Sequence, residues 1–391
     1  MIFSGIISFN LFSFLPFLVK KGIYCNLNMK IRIKTLIASS ITAALTVLLG
    51  TACSPSDGGT DGKAQVVRAF PDTADVAMYF DQRAMSDSAI GEKIQDMQED
   101  VEGMEASEEL SEQFMEITGL DDDDITDFAL AVSGLENAQI DPSLIRISGA
   151  IFAEKAVTAE QVVEAINFIA EQNGETVELT VTVGEGADFI EFQKEEGVPE
   201  MYAAIMTGDD STTAFFGDKA SVEEAMDRPI GSISASLMAP SKGLIDGQQG
   251  WISFIIPESL KGQLAGIAAQ GDQMAPGLSK IQSLQSVGIG MKATDNLTMA
   301  VGFNLGSAED AQAIEVVLNN QLISLAKMML AGSTPEPLPL LQSLAAGQSG
   351  ERATLSLSVS MKDMEILQAQ LLNFLPGAGM VTPQGITPSA Q

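Results

Sequence analysis

The sequence contains no histidine and has two cysteines, Cys25 and Cys53. Histidine is the commonest general base at neutral pH and the commonest ligand for zinc, copper and iron. Its absence excludes the usual Ser-His-Asp, Cys-His and zinc-hydrolase arrangements. A Gly-x-x-x-x-Gly-Lys-Ser/Thr phosphate loop is also missing. We therefore predict a protein that is not an enzyme and that uses no cofactor.

Basic side chains are scarce: the chain has 21 Lys and Arg residues against 52 Asp and Glu residues. Five of the basic residues and none of the acidic ones precede Cys53, so the chain from Cys53 onward carries a net charge near −36. Binding of nucleic acid requires a basic footprint, which excludes nucleic acid as a partner. The acidic excess has two interpretations, a solubilising surface or one that attracts cations or basic partners.

A leader precedes Cys53. Its basic residues are Lys30, Arg32 and Lys34, and a mostly apolar run from Thr35 to Leu49 follows them. A basic segment, a short apolar segment and small residues before a cut site are typical of a secretory signal peptide. The small residues Gly-Thr-Ala before Cys53 resemble the lipobox of bacterial lipoproteins, although Gly50 stands where that motif usually has leucine. The alternative is an ordinary cleaved signal with a cysteine nearby.

The lipoprotein resemblance covers residues 29–53. It implies that Cys53 is lipidated and begins the mature chain, and that the protein is anchored by lipid in the bacterial cell envelope, facing the periplasm or the exterior. Residues 1–28 precede a complete signal (29–52) and are interpreted as a mis-called start or leader, with a genuine membrane anchor as the alternative. Residues 53–70 are interpreted as a flexible tether.

Hydrophobic periodicity repeats in the two halves of the chain. Each half begins with an alternating strand pattern, at residues 76–80 and 252–256, followed by apolar residues at helical spacing. Capped helices are predicted to begin at Thr158, Ser221 and Ser307. Each half ends in a second alternating strand, at 177–183 and 353–361, and we expect the members of each strand pair to correspond.

These patterns predict an α+β fold with antiparallel sheets, helices packed on one face, and two pseudo-repeated lobes. The predicted boundaries are 71–228 for lobe 1, 229–249 for a linker, 250–374 for lobe 2 and 375–391 for a disordered tail. We expect each lobe to have its own two-layer core.

Four consecutive aspartates are the sharpest local feature: Asp121, Asp122, Asp123 and Asp124. A calcium loop spaces its oxygen ligands alternately and turns on a central glycine, which this run lacks. We interpret the run as a solvated turn before a strand, and its four residues are kept as weak candidates for a cation site.

The leading functional hypothesis is a non-catalytic, envelope-tethered binding or assembly module for a protein or an apolar ligand. The first alternative is a carrier of lipid or lipoprotein with an apolar cavity between sheet and helices. The second is an enzyme of unfamiliar type that uses carboxylates, because a pair of them is sufficient for glycoside hydrolysis.

Replacing the predicted lipidation site tests the anchor. Cys53→Ser should release the protein from membranes or leave the precursor uncleaved, as seen by fractionation and gel migration. Cys25→Ser is the matched control and should behave as wild type, because residue 25 precedes the predicted cut site. A Cys53→Ser protein that fractionates and migrates as wild type contradicts the lipoprotein prediction.

Overall fold

The computed structural model describes residues 62–93, 113–136, 144–172, 177–192, 201–271, 276–324 and 340–366. The predictions for Cys53, the signal peptide, residues 1–28 and the tail 375–391 lie outside these ranges. Residues 94–112, part of the helical pattern predicted after the strand at 76–80, lie outside them too.

The described elements alternate between strands and helices along the chain. The strands are β1 (Ala74–Asp81), β2 (Ile125–Ser133), β3 (Arg146–Ala153), β4 (Leu179–Val183), β5 (Asp188–Phe192), β6 (Met201–Thr207), β7 (Thr212–Asp218), β8 (Gly250–Ile255), β9 (Ser286–Ala293), β10 (Asn296–Asn304), β11 (Ala345–Ser349) and β12 (Arg352–Ser360). The α-helices with defined bounds are α1 (Gly62–Val66), α2 (Gln82–Ser86), α3 (Ala159–Gln172), α4 (Lys219–Asp227), α5 (Ala235–Met238), α6 (Glu258–Gly271), α7 (Ala308–Val317) and α8 (Leu340–Ser343). Short 3₁₀ helices occupy Val67–Ala69, Asp122–Asp124 and Leu278–Ser283, and a π-helical turn occupies Leu318–Ile323.

All twelve strands form one antiparallel sheet in the order β11-β12-β10-β9-β8-β1-β2-β3-β7-β6-β5-β4. The mixed α+β class and the antiparallel pairing are therefore confirmed. The expectation of a separate core for each half is wrong at the centre of the sheet, where β1 and β8 pair with each other. Side chains from both halves consequently share the same hydrophobic clusters there. Farther out, three clusters contain residues of one half alone.

The strand register aligns apolar side chains in rows that run across the sheet. The middle row crosses all twelve strands and consists of Val181, Ile190, Ala203, Phe216, Gly149, Leu130, Met78, Ile252, Ile289, Val301, Leu355 and Ala346. We call the side of the sheet that carries this row face 2, and the opposite side face 1. Alternation along a strand places every second residue on the same face, so the row follows directly from the alternating sequences.

Face 1 carries small side chains with a few large aromatic ones. Its alanines and aromatic residues come from both halves and include Ala77, Tyr79, Ala129, Ala131, Ala150, Phe215 and Trp251. Trp251 is 1% exposed, and its ring lies 5.4 Å from that of Phe70 and 6.2 Å from that of Tyr79. Helices α1, α4 and α5 contribute Val66, Val222 and Leu237 to this core.

Helices therefore pack on both faces, and the prediction that they pack on one face is wrong. Helix α3 packs on face 2 against β4 and β5, and α6 and α7 pack on face 2 in the second half. The physical reason is that the alanines between the large apolar residues of the strands are buried too. They allow helices to approach face 1 closely.

The predicted tether of residues 53–70 ends earlier than expected. Residues 62–70 are helical or buried, and Arg68 fixes them to α4. The Arg68 guanidinium donates to the backbone carbonyl oxygens of Ala225 and Met226 at the end of α4, and it lies 5.2 Å from the ring of Phe215. A cation at a helix carboxyl end is stabilised by the helix dipole, so this contact closes the first segment onto the sheet.

The predicted linker 229–249 is also part of the packed structure. It forms α5 and then crosses face 1 over glycines of β9 and β10. A Cβ at Gly288 would lie 2.0 Å from the carbonyl oxygen of Pro240, so glycine is required at this position. Arg352 donates to the carbonyl oxygens of Ala239 (2.7 Å) and Lys242 (2.8 Å) and holds the segment in place.

Two finer predictions are corrected by the strand order and the helix caps. Strand β4 lies at the sheet edge, whereas β12 lies next to β10, so residues 177–183 and 353–361 do not occupy matching places. Helix α4 is capped by Asp218, whose carboxylate accepts from the amide and the hydroxyl of Ser221. The predicted caps at Thr158 and Ser307 are confirmed by side-chain hydrogen bonds.

Candidate binding face

The row of face 2 at the beginning of β1 is partly open. Its members are Ile147, Val132, Val76, Phe254, Val287 and Phe303, which are aligned by register on six neighbouring strands. We call this set the open row. Ile147 is 37% exposed and the other five side chains are half-buried. The nearby Leu144 is 49% exposed. Phe254, Val287 and Phe303 pack against the cluster that α6 and α7 help to form, so the exposed part of the row is centred on Ile147 and Leu144. Exposed apolar side chains that lie together are a feature of binding surfaces.

The opposite ends of the same strands are closed. Phe80, Phe128 and Met291 are each less than 8% exposed and pack together with Met85 of α2. Phe80 leans over Gly250, where a Cβ would lie 2.8 Å from its ring. This close packing fixes the strands on which the open row lies, so the open row is presented by a rigid sheet.

A buried carboxylate lies on face 1 at this closed end. Asp127 is 8% exposed, and its two oxygens accept from the hydroxyls of Tyr79 (2.6 Å) and Thr126 (2.8 Å). The ammonium of Lys63 lies 4.8 Å from the ring centre of Tyr79, and Gly62 lies directly against the Asp127 carboxylate. Asp127 thus connects β1 and β2 to the start of α1.

Asp81, Arg83 and Glu154 surround that carboxylate at the strand ends. Arg83 donates to Glu154 Oε2 (2.8 Å) and to the carbonyl oxygen of Asp123 (3.2 Å). Asp81 accepts from the amide of Ala84 (2.8 Å) and caps α2. Burial raises the pKa of Asp81, and the hydrogen bond from Ala84 and the charges of Lys63 and Arg83 oppose this shift.

The chemistry of this polar group is structural. Each carboxylate is engaged by a hydroxyl, an amide or a guanidinium of the chain itself. A general acid or base must instead reach the proton of a substrate. The arrangement therefore stabilises the closed end of the strands. The sequence analysis missed this polar group. Asp127 in an otherwise apolar strand could have indicated it, because a buried charge requires partners.

The aspartate run forms the turn before β2. The amide of Asp121 donates to Asp124 Oδ2 (2.6 Å), and Lys155 lies 3.5 Å from Asp121 and 3.2 Å from Asp124. Two of the four predicted cation ligands therefore already face a cationic side chain. Within the described ranges, no group of three or more Asp, Glu, Cys or His side chains is placed to hold a metal ion.

None of the helices in the described part of the chain is both long and apolar enough to cross a membrane. No protein-family model, no curated protein and no solved structure matches the chain.

The raised pKa of Asp81 gives a pH-dependent prediction. Charged Asp81 opposes folding at neutral pH, so Asp81→Asn, which can still cap α2, should raise the Tm at pH 7. The gain should shrink as the pH falls through the raised pKa toward the ordinary carboxyl range of about 4, where wild-type Asp81 becomes protonated. Thermal unfolding followed by circular dichroism between pH 7 and pH 4 measures this difference.

Asp310→Asn is the matched control with the opposite sign. The pKa of Asp310 is lowered, chiefly by its hydrogen bond with Lys280. Its charge therefore stabilises the fold at pH 7, and this stabilisation is lost as the pH falls. Asp310→Asn should lower the Tm at pH 7 by an amount that shrinks on acidification. A lower Tm for Asp81→Asn at pH 7 would show that burial does not dominate at Asp81.

Proposed function

We propose that the protein is a non-catalytic binding or assembly module, tethered to the bacterial cell envelope through Cys53, and that the open row is its binding surface. The observation that carries this proposal is the alignment of six partly exposed apolar side chains in one row, with Ile147 and the nearby Leu144 exposed at one end of it. Face 1 has a filled core, and the closed end of face 2 is packed. On face 2 away from the sheet edges, the exposed apolar side chains Ile147 and Leu144 lie together at this one end.

The position of the tether supports a binding surface directed away from the membrane. Eight residues separate Cys53 from Gly62, and a chain of that length reaches at most about 30 Å. Gly62 contacts Asp127 at the closed end of the strands. The open row lies about 20 Å farther along β2, at its other end. This arrangement favours a partner approaching from the periplasm or exterior.

The net charge of the chain supports a partner other than the membrane surface. A net charge near −36 from Cys53 onward repels anionic headgroups, so membrane contact falls to the lipid on Cys53. The absence of histidine and the engaged carboxylates of the closed end support a role without catalysis.

A carrier of lipid or lipoprotein is the second candidate. The continuity of the open row favours it, because six neighbouring strands give an apolar path about 24 Å long. An acyl chain would lie along the part of this path that the α6 and α7 cluster does not cover, over Val76, Val132 and Ile147.

We also propose that the two halves are repeated lobes related by a two-fold axis between β1 and β8. In support, the strand order outward from this pair is β1-β2-β3-β7-β6 in one direction and β8-β9-β10-β12-β11 in the other. Helices α3 and α7 follow the third strand of each set. In an experimentally determined structure, β1–β3 with α3 should superpose on β8–β10 with α7 after a rotation near 180°. Superposition in another strand order contradicts the repeat.

The binding proposal is tested with Nile red, an uncharged probe of apolar surface. Wild-type protein in its full-length form should increase Nile red fluorescence, and Ile147→Glu should abolish most of the increase by placing a charge on the open row. Ile230→Glu is the matched control, because Ile230 is 62% exposed outside the sheet, and should behave as wild type.

Two results would contradict the open row as the binding surface. One is equal Nile red binding by wild type and Ile147→Glu, and the other is equal loss in Ile147→Glu and Ile230→Glu. Mass spectrometry of protein purified from membranes then separates the two candidates. A co-purifying acyl lipid that is lost in Ile147→Glu supports the carrier, and a co-purifying protein that is lost supports the assembly module.

A further inference from the structure

The two edges of the sheet differ in how they are protected. Strand β11 (Ala345–Ser349) consists of small and polar residues with a central glycine, and α7 packs against it. Strand β4 has the sequence Leu-Thr-Val-Thr-Val, and one side of its backbone has no neighbouring strand among the described residues. Alternating Thr and Val residues favour extended pairing. Edge strands are usually protected by lysine, proline, a bulge or a covering element.

The side chains of β4 are accessible and lie in the right register for a further strand. Val183 is 78% exposed, and Thr180 and Thr182 are also exposed. On face 2, Val181 and Leu179 continue the apolar rows and pack with Val162 and Val163 of α3. An added strand with apolar side chains at alternate positions would extend those rows beyond β4.

The charge around this edge has one sign. Between residues 156 and 192 the chain has eight acidic residues and no basic residue. Glu178 and Glu185 are exposed at the two ends of β4, and Glu164 and Glu171 are exposed on α3. Lys219 forms an ion pair with Glu191 of the neighbouring strand at 3.6 Å. The field at the β4 edge is therefore negative and attracts basic side chains.

We propose that the free edge of β4 binds an extended polypeptide segment of alternating apolar and basic side chains, which adds a thirteenth strand to the sheet. Strand addition obtains affinity from main-chain hydrogen bonds and specificity from alternate side chains. Here the apolar side chains face α3, and the basic ones neutralise the glutamates at the ends of β4. This interaction is independent of the open row.

A second copy of this chain does not suit the same edge. A second β4 strand would bring its own exposed Glu178 and Glu185 to an edge that is already surrounded by carboxylates. Charges of the same sign brought close together repel each other. The charge pattern therefore selects a basic segment of a different protein.

The test uses a fluorescein-labelled peptide of nine alternating Val and Lys residues, titrated with the full-length protein and followed by fluorescence anisotropy. Wild type should bind it saturably, and a Val/Glu peptide of the same length should not bind. Val183→Lys adds a positive charge at the exposed end of β4 and should weaken binding roughly tenfold or more. Val316→Lys is the matched control, because Val316 is 45% exposed on α7, and should bind as wild type.

A fully backbone N-methylated Val/Lys peptide separates strand addition from simple charge attraction. It keeps the charges but cannot donate main-chain hydrogen bonds, so it should bind much more weakly than the parent peptide. Amide hydrogen exchange of residues 179–183 in wild type should slow when the parent peptide is bound, a measurement that needs no variant. Absence of saturable binding, equal affinity of Val183→Lys and wild type, equal binding of the N-methylated peptide, or unchanged exchange in β4 would each overturn the proposal.

Discussion

The pairing of β1 with β8 is the contact on which the remaining architecture depends. It places Met78 opposite Ile252 and Tyr79 opposite Trp251, one pair on each face of the sheet. Every other strand then adds outward from this pair by antiparallel neighbours. Because the two halves meet through backbone hydrogen bonds, their apolar rows join into continuous bands, and no boundary separates one core from the other at the centre of the sheet. This explains why buried residues of both halves belong to the same clusters.

The central strands of so wide a sheet need both of their faces covered from solvent. The two faces use different kinds of side chain for this. Large apolar residues form the rows of face 2, and alanines and glycines of face 1 let helices and the 229–249 segment approach closely. Gly288 shows how tight this approach is, since the carbonyl of Pro240 occupies the space of a side chain. Coverage of face 2 is incomplete near the beginning of β1: Phe254, Val287 and Phe303 pack under α6 and α7, whereas Ile147 stays exposed.

The sequence predicted local features well because their causes are local. Alternation in residues 76–80 and 252–256 predicted strands, and the side chains of Thr158 and Ser307 predicted helix starts, since a cap depends on residues three apart. The covered face 1 was missed because alanine gives a weak periodic signal although it is buried as often as larger residues. Ser221 was mistaken for the cap of α4. The cap is Asp218, three residues earlier, whose carboxylate accepts a hydrogen bond from the backbone amide of Ser221.

Strand order and the polar group around Asp127 could not be predicted, since both depend on residues that are distant in the sequence. Tyr79 and Asp127 are 48 residues apart, and Arg83 and Glu154 are 71 apart. The two candidate surfaces differ in how far they can be recognised from a short stretch of sequence. The acidic, Thr/Val-rich character of β4 is visible in a short stretch, but its place at an edge is not. The open row is visible only after six strands are aligned.

These two surfaces follow from different limits of the same sheet. The open row lies where the helices of face 2 cover the strand ends incompletely, so the proposed surface would offer apolar side chains. Among the described residues, strand addition stops at β4, so the proposed edge site would offer main-chain donors and acceptors beside Glu178 and Glu185. A ligand suited to one is therefore poorly suited to the other. An acyl chain or an apolar helix face can use the open row, whereas the edge requires an extended backbone. The two proposed surfaces therefore predict chemically different partners that bind to different parts of the same sheet.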